Sequence, residues 1–148
     1  MTTLIEQLAS AKGIANDYVD AWGNPALVSQ ESKAAMLGAM GYKVDDEAAL
    51  RLQLDEENRA HWTQPMDPVQ VVRSGEVIGL ELRLPIDLVN NELSWEVKTE
   101  EGNSLKGSLV PVNGEMVAVV HIDDAEYQAY HVAISADLPL GYHELVIK

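Results

Sequence analysis

The fold class is decided by residues 78–98, which read IGLELRLPIDLVNNELSWEVK. Apolar residues hold every second position in two runs, which are Ile78, Leu80, Leu82, Leu84 and then Leu93, Trp95, Val97. This alternation is typical of antiparallel strands that bury one face and expose the other. We therefore predict two half-buried strands, with Trp95 packed in the core rather than exposed as a platform for sugar rings.

The same period continues toward the end of the chain. Met116, Ala118, Val120 and Ile122 are predicted to share one side of a strand, and residues 142–148 alternate in the same way. Turn residues separate the runs, at Ser74-Gly75, Glu101-Gly102-Asn103 and Asn113-Gly114. Asn-Gly is a strong hairpin signal, so we expect a hairpin at residues 113–114. About seven short strands predict an antiparallel immunoglobulin-like β-sandwich over residues 65–148.

Residues 1–64 have helical patterns instead. Candidate N-terminal caps precede each apolar segment, and these are Thr3 with Glu6, Asn16, Ser29 and the acidic run 45–47. Asn16 is expected to begin a short helix over residues 17–22 that ends at Gly23. The sequence thus predicts a small bundle of three or four helices over residues 1–64. The fold class that follows is α+β in two parts, with the boundary at residues 64 and 65.

Composition excludes several classes of function. The 148 residues include 24 acidic and 10 basic side chains, a formal net charge of −14, and no cysteine. Disulfides, thiolate metal sites and a cysteine nucleophile are therefore excluded. Nucleic acid and anionic membranes would be repelled, so neither is predicted as a partner. No signal peptide or membrane-spanning run is present, which predicts a cytoplasmic protein.

The residues that could carry chemistry are scattered. The histidines at positions 61, 121, 131 and 143 fall on separate elements, and the acidic run 123–126 lacks the spacing of a calcium loop. Neither a hydrolase serine elbow nor a phosphate-binding loop is present. We therefore predict no catalytic residue, no metal ligand and no cofactor, and the sequence singles out no ligand-binding residue.

The remaining aromatic residues suggest contacts rather than catalysis. Trp22 and Trp62 are expected at helix ends, where docking against another surface, or packing at the seam between the two halves, suits them better than sugar stacking. Tyr142 lies at the entrance of the last strand, and we expect its hydroxyl to bond back to the backbone as a tyrosine corner.

Two groups of segments carry a family resemblance. In the first half they are Gly13-Ile14, Tyr18-Val-Asp-Ala-Trp-Gly23-Asn-Pro, Val28-Ser-Gln-Glu31-Ser and Met36-Leu-Gly-Ala-Met40-Gly41. In the second half they are Leu93-Ser-Trp95, Glu100-Glu-Gly102, Lys106-Gly107 and Leu138-Pro-Leu-Gly-Tyr142-His-Glu-Leu145. This series resembles, in order, the N-terminal region of bacterial amylomaltases, the 4-alpha-glucanotransferases of glycoside hydrolase family 77. The long, enterobacterial-type maltodextrin enzyme is the form that it looks like.

The resemblance implies a division of labour within a longer enzyme. In the family, the catalytic carboxylates lie on a downstream (β/α)8 barrel, so no catalytic residue carries over to this sequence. The resemblance further implies that one more strand follows residue 148, so that the sandwich here lacks its final strand. The parent would transfer α-1,4-glucan segments between maltodextrins by a retaining mechanism without a cofactor.

Three functions remain open at this stage. The first is a non-catalytic accessory region that packs on, or orients, the catalytic barrel of its own parent chain. The second is an independent carbohydrate-binding module for α-1,4-glucans such as maltodextrin. The third is a free-standing interaction protein unrelated to glucans. Exposed aromatic rings on the sandwich would favour the second function, and burial of those rings would favour the first.

Overall fold

The computed structural model describes residues 3–148, which form two compact units. The first unit ends at His61 and the second spans Trp62–Lys148. Both classes of secondary structure occur where the two periods predict them, so the predicted α+β class in two parts is confirmed.

Three helices and a short hairpin make up the first unit. Its elements are α1 (Leu4–Ala11), β1 (Asp17–Val19), β2 (Pro25–Leu27), α2 (Gln30–Ala39) and α3 (Glu47–Thr63). The apolar faces of the helices meet in a core of Leu8, Ala9, Leu37, Leu50 and Leu54. The predicted caps at Thr3 and Ser29 are confirmed, and the carboxylate of Glu6 accepts a bond from the Thr3 amide at 2.9 Å.

The predicted helix over residues 17–22 is wrong, because this segment forms strand β1 and the turn that follows it. Tyr18 pairs with Ala26 across the hairpin, and Gly23 has a φ of +85° in the turn. Asn16 closes the base of the hairpin instead of capping a helix: its carbonyl accepts a hydrogen bond from the Val28 amide at 2.9 Å. Asparagine and glycine favour turns as strongly as helix ends, and Tyr18 and Val19 favour strands.

The second unit is a sandwich of two antiparallel three-stranded sheets. Its strands are β3 (Ile78–Pro85), β4 (Leu93–Lys98), β5 (Ser104–Leu109), β6 (Glu115–Ile122), β7 (Ala125–Ile134) and β8 (Glu144–Ile147). The strand orders are β3-β7-β6 and β5-β4-β8. Between the sheets lies a core of Ile78, Leu80, Leu82, Leu84, Val89, Tyr130, Val132 and Ile134. Trp95 is half-buried and packs against this core, as the alternation predicts.

The expected hairpin at Asn113-Gly114 is wrong. Residues Pro111–Asn113 form a single 3-10 turn that carries the chain from β5 in one sheet to β6 in the other. Gly114 is required by packing, because a Cβ there would collide with the backbone carbonyl of His131. The tight hairpin lies one strand later, where Asp123 and Asp124 join β6 to β7 with φ of 50° and 64°. Two central residues with positive φ define a type I′ turn.

A bulge also changes the predicted face of β6. Met116 lies opposite Tyr130 and Ala118 lies opposite Ala129, so that Val117 has no partner of its own. Because one extra residue reverses the alternation, Met116 lies on the face that carries Tyr130, and the later residues of the predicted set lie on the opposite face.

The alternation predicts that the residues between the apolar positions of β3, Arg83 among them, lie on the exposed face, yet the Arg83 side chain is buried. The chain before β3 covers it: the guanidinium donates to the Gln64 carbonyl at 3.0 Å and to Asp67 Oδ1 at 2.7 Å. Glu81 accepts a third bond at 3.0 Å. A buried charge is tolerated only when such partners replace water. Arg83 therefore fastens residues 64–67 along the free edge of the sheet.

Candidate functional site

The sandwich unit carries a groove with largely apolar walls. One wall is the irregular segment 66–72, and the other is the bend 138–145 that enters β8. Ile78, Val97 and Leu145 contribute apolar surface, and the cavity volume is about 430 Å³. Val69 and Val71 also line it and are exposed. Contiguous apolar surface of this kind marks a place where another chain or a ligand docks.

The bend itself is held by a clamp to the turn between β4 and β5. The Glu100 amide donates to His143 Nδ1 at 3.2 Å, and the opposite ring nitrogen of His143 is 2.8 Å from the Pro139 carbonyl. In return, the Tyr142 amide donates to Glu100 Oε2 at 3.1 Å. The bond from Glu100 makes Nδ1 an acceptor, so Nε2 carries the proton and donates to Pro139. Two segments that carry the family resemblance, residues 100–102 and 138–145, thus meet at this clamp.

Tyr142 stands away from the clamp that fixes its backbone. Its side chain is 90% exposed and lies between the groove and a shallow depression next to Lys98 and Ser104. The tyrosine-corner prediction is wrong, because a ring so exposed is not folded back onto its own backbone. The residue instead presents an aromatic ring at the rim of the groove.

The β1–β2 hairpin of the first unit is a second exposed feature. Trp22 lies in its turn rather than at the end of a helix, which corrects the prediction, and the side chain is 86% exposed. Asp20 organises the turn: its Oδ1 accepts from the amides of Trp22 at 2.9 Å and Asn24 at 2.8 Å. These bonds, led by that from Asn24, hold the pKa of the Asp20 carboxyl below its ordinary value. Trp62 does lie in the last turn of a helix, α3.

Ionisable groups elsewhere act as structural ties. Lys12 Nζ is 2.6 Å from Glu57 Oε2, and the Tyr42 hydroxyl donates to the other oxygen of the same carboxylate. The ammonium of Lys12, with the hydroxyl of Tyr42, holds the pKa of Glu57 below its ordinary value. The pKa of Glu6 and that of Glu96 are lowered by hydrogen bonds from Thr3 and Ser104 respectively. A general acid for glycoside chemistry needs a raised pKa, which is the opposite shift.

The histidines lie in separate environments. His121 lies 3.5 Å from Glu126, His131 lies 3.5 Å from Glu81, and His143 belongs to the clamp. Within residues 3–148, no group of three or more histidine or carboxylate side chains is arranged to hold a metal ion. Over the same range, no helix combines the length and apolar character needed to cross a bilayer.

The sandwich with its clamped bend and apolar groove defines the class: a β-sandwich domain preceded by a small helical unit. The sequence profile of the family described as "MalQ N-terminal beta sandwich domain" matches residues 65–148. The chain therefore belongs to the MalQ N-terminal β-sandwich family, as the sequence resemblance predicted.

Relatives and a solved structure match across both units. The 4-alpha-glucanotransferases of Mycobacterium bovis and Mycobacterium tuberculosis are 27% identical over 146 residues, which is 96% of this chain and 19% of theirs. The crystal structure of amylomaltase from Corynebacterium glutamicum superposes with a TM-score of 0.66 at 22% identity, covering 98% of this chain and 20% of that one. This chain thus spans about a fifth of the length of the relatives it matches.

Proposed function

We propose that this chain is the non-catalytic N-terminal region of a 4-alpha-glucanotransferase, an amylomaltase that acts in maltodextrin metabolism. Its role is to pack on, or orient, the catalytic barrel of the parent chain. Support comes from two findings: the chain matches about a fifth of the length of its relatives, and the family model that it matches is described as an N-terminal domain. The cytoplasmic location remains a prediction within this proposal.

The groove beside β8 is the observation that best supports packing of this region on the rest of the parent chain. Ser94 and Lys148 exchange both of their backbone hydrogen bonds at 2.9 Å, which fixes the bonding pattern of this pair of strands. Antiparallel pairs alternate, so the backbone N–H and C=O groups of Leu145 and Ile147 point away from β4. They form an open strand edge next to apolar walls. An extended segment added to this edge would satisfy them and complete the sandwich, and we propose that the parent chain supplies it.

Two measurements test the proposal. The purified chain, incubated with maltotriose, is expected to release neither glucose nor longer oligomers, because catalysis belongs to the barrel. Turnover that survives removal of contaminating enzyme would contradict this. In the full-length parent, Val71→Asp is expected to lower the inactivation temperature, since Val71 lines the groove and the change places a charge in the packed surface. Leu52→Asp, at an exposed apolar position on α3, is the matched control. Equal effects of the two changes would contradict packing at the groove.

A second function is favoured by one specific observation. An independent carbohydrate-binding module needs exposed aromatic rings, and Trp22 and Tyr142 supply two, on different units. Trp95, the tryptophan within a sandwich strand, packs on the core and cannot serve as a platform. Binding of maltoheptaose to the isolated chain separates this function from a purely structural one.

A further inference from the structure

The β1–β2 hairpin exposes apolar surface that the fold does not use. Trp22 is 86% exposed, and Val19 and Leu27 on the outer face are 71% and 82% exposed. None of the three belongs to the helical core of the first unit. Tryptophan is highly buried on average, and its indole combines a large apolar face with one polar N–H. A cluster of this kind therefore points to a ligand outside the unit.

The backbone that presents Trp22 is fixed before any ligand arrives. At the tip, Asp20 bonds two turn amides with Oδ1, and its Oδ2 accepts from the Asn24 side chain at 3.2 Å. At the base, the buried ammonium of Lys33 donates to Asn16 Oδ1 at 2.8 Å, which ties the hairpin to α2. A platform already ordered in this way loses little conformational entropy when it binds.

Charge excludes anions as ligands of the hairpin. Asp17 lies on the outer face together with Val19 and Leu27, and Asp20 lies at the turn. These carboxylates, in a chain of net charge −14, repel phosphates and other anions. An uncharged ring with an apolar face and a rim of hydroxyl donors can pack on the indole and is not repelled by the carboxylates. Its C–H face covers the indole, and one hydroxyl donates to Asp20 Oδ2, which accepts one bond within the turn, from the Asn24 side chain. Pyranose sugars have this chemistry.

We propose that the Trp22 hairpin is a binding site for α-1,4-glucan chains, separate from the sandwich groove. The choice of glucan among pyranoses rests on the proposed function, because the matched relatives are 4-alpha-glucanotransferases. One indole and two short strands offer a small contact area, so the affinity expected for maltoheptaose is on the order of 1 mM. Such a site holds a long glucan near the parent enzyme without competing with catalysis.

The test is a titration of the 148-residue chain with maltoheptaose, followed by NMR of its three indole N–H signals. We expect the signal of Trp22 to move while those of Trp62 and Trp95 stay in place. Trp22→Ala should weaken binding at least tenfold without changing the unfolding midpoint, since the side chain is exposed. Tyr142→Ala, an exposed aromatic of the other unit, is the matched control and should leave the affinity unchanged.

Several outcomes would overturn the site. They are an unmoved Trp22 signal at 10 mM maltoheptaose, equal movement with the β-1,4-linked cellopentaose, and a loss of binding in Tyr142→Ala rather than in Trp22→Ala. A Trp22 signal that shifts with protein concentration in the absence of sugar would assign the surface to a second copy instead, and would also overturn the proposal. The titration does not depend on transferase activity. The glucan site can therefore be refuted while the proposed function stands, and the proposed function can be refuted while the glucan site stands.

Discussion

Trp95 packs on Gly107, and the geometry of this contact predicts how much stability Gly107→Ala would cost. The two residues are directly opposite on β4 and β5, and the indole lies over the glycine. A Cβ added to Gly107 would lie 2.6 Å from Cε2 and 2.8 Å from Nε1 of the ring, and closer still to Cζ2. Carbon contacts are favourable at about 3.5–4.0 Å, so Gly107→Ala forces the ring to retreat by about 1 Å.

The retreat has a cost because Trp95 packs against the sandwich core. Overpacking of this kind costs about 1–3 kcal/mol, and the reduced freedom of alanine in the unfolded chain returns about 0.4–1 kcal/mol. The net loss expected for Gly107→Ala is therefore about 1–2 kcal/mol. For a unit of this size, that loss lowers the melting temperature by roughly 5–15 °C.

The assay is thermal unfolding followed by near-UV circular dichroism, which reports on tryptophan packing. Gly79→Ala in β3 is the matched control, because a Cβ there meets no atom within 4 Å. We expect Gly79→Ala to be neutral or slightly stabilising. A second variant, Gly107→Ala with Trp95→Leu, should cost less than the sum of its two single changes. If Gly107→Ala and Gly79→Ala differ by less than about 0.5 kcal/mol, the ring does not pack on the backbone as described.

Three further predictions address the first unit, the clamp and the strand edge. The pKa of Glu57 is lowered in the folded protein, so the stability that its carboxylate contributes is present above the ordinary carboxyl pKa and is lost as pH falls through the lowered value. Glu57→Gln breaks the pair with Lys12 and should cost about 1 kcal/mol or less at pH 7. In an acid denaturation series, this difference from wild type should vanish. His143→Ala removes two of the three hydrogen bonds of the clamp and should cost about 1–3 kcal/mol in urea unfolding. His131→Ala, on the exposed side of β7, should cost under about 0.5 kcal/mol, and equal costs of the two changes would refute the clamp. The open edge of β8 should cause weak self-association, and sedimentation should show more of it at high salt than at low salt, because salt screens the net negative charge. Val146→Lys should suppress the self-association. A strict monomer at high protein concentration, at both low and high salt, would reject the prediction.

The sandwich was predictable because alternation reports burial directly. Ile78, Leu80, Leu82 and Leu84 face the core as predicted, and the turn at Gly102 forms where expected with a φ of +90°. The errors occur where one local signal serves two structures. Asn16 and Gly23 suit a helix cap and stop as well as the base and turn of a hairpin, and only the pairing of Tyr18 with Ala26 decides between them.

The candidate sites were less predictable, because each depends on contacts between residues far apart in the chain. The alternation of β3 predicted that Arg83 is exposed, and no local sequence signal indicated that residues 64–67 cover it. His143 looked like one scattered histidine among four, yet it meets Glu100, 43 positions earlier, and so fixes the wall of the groove. Exposure of Trp22 follows only once residues 17–27 are known to form a hairpin that projects from the core rather than a helix that packs on it. The family resemblance singled out residues 100–102 and 138–145 as segments, but it did not indicate that they contact each other. Whether a side chain clamps, packs or faces a ligand is decided by the long-range pairing that the sequence pattern does not encode locally.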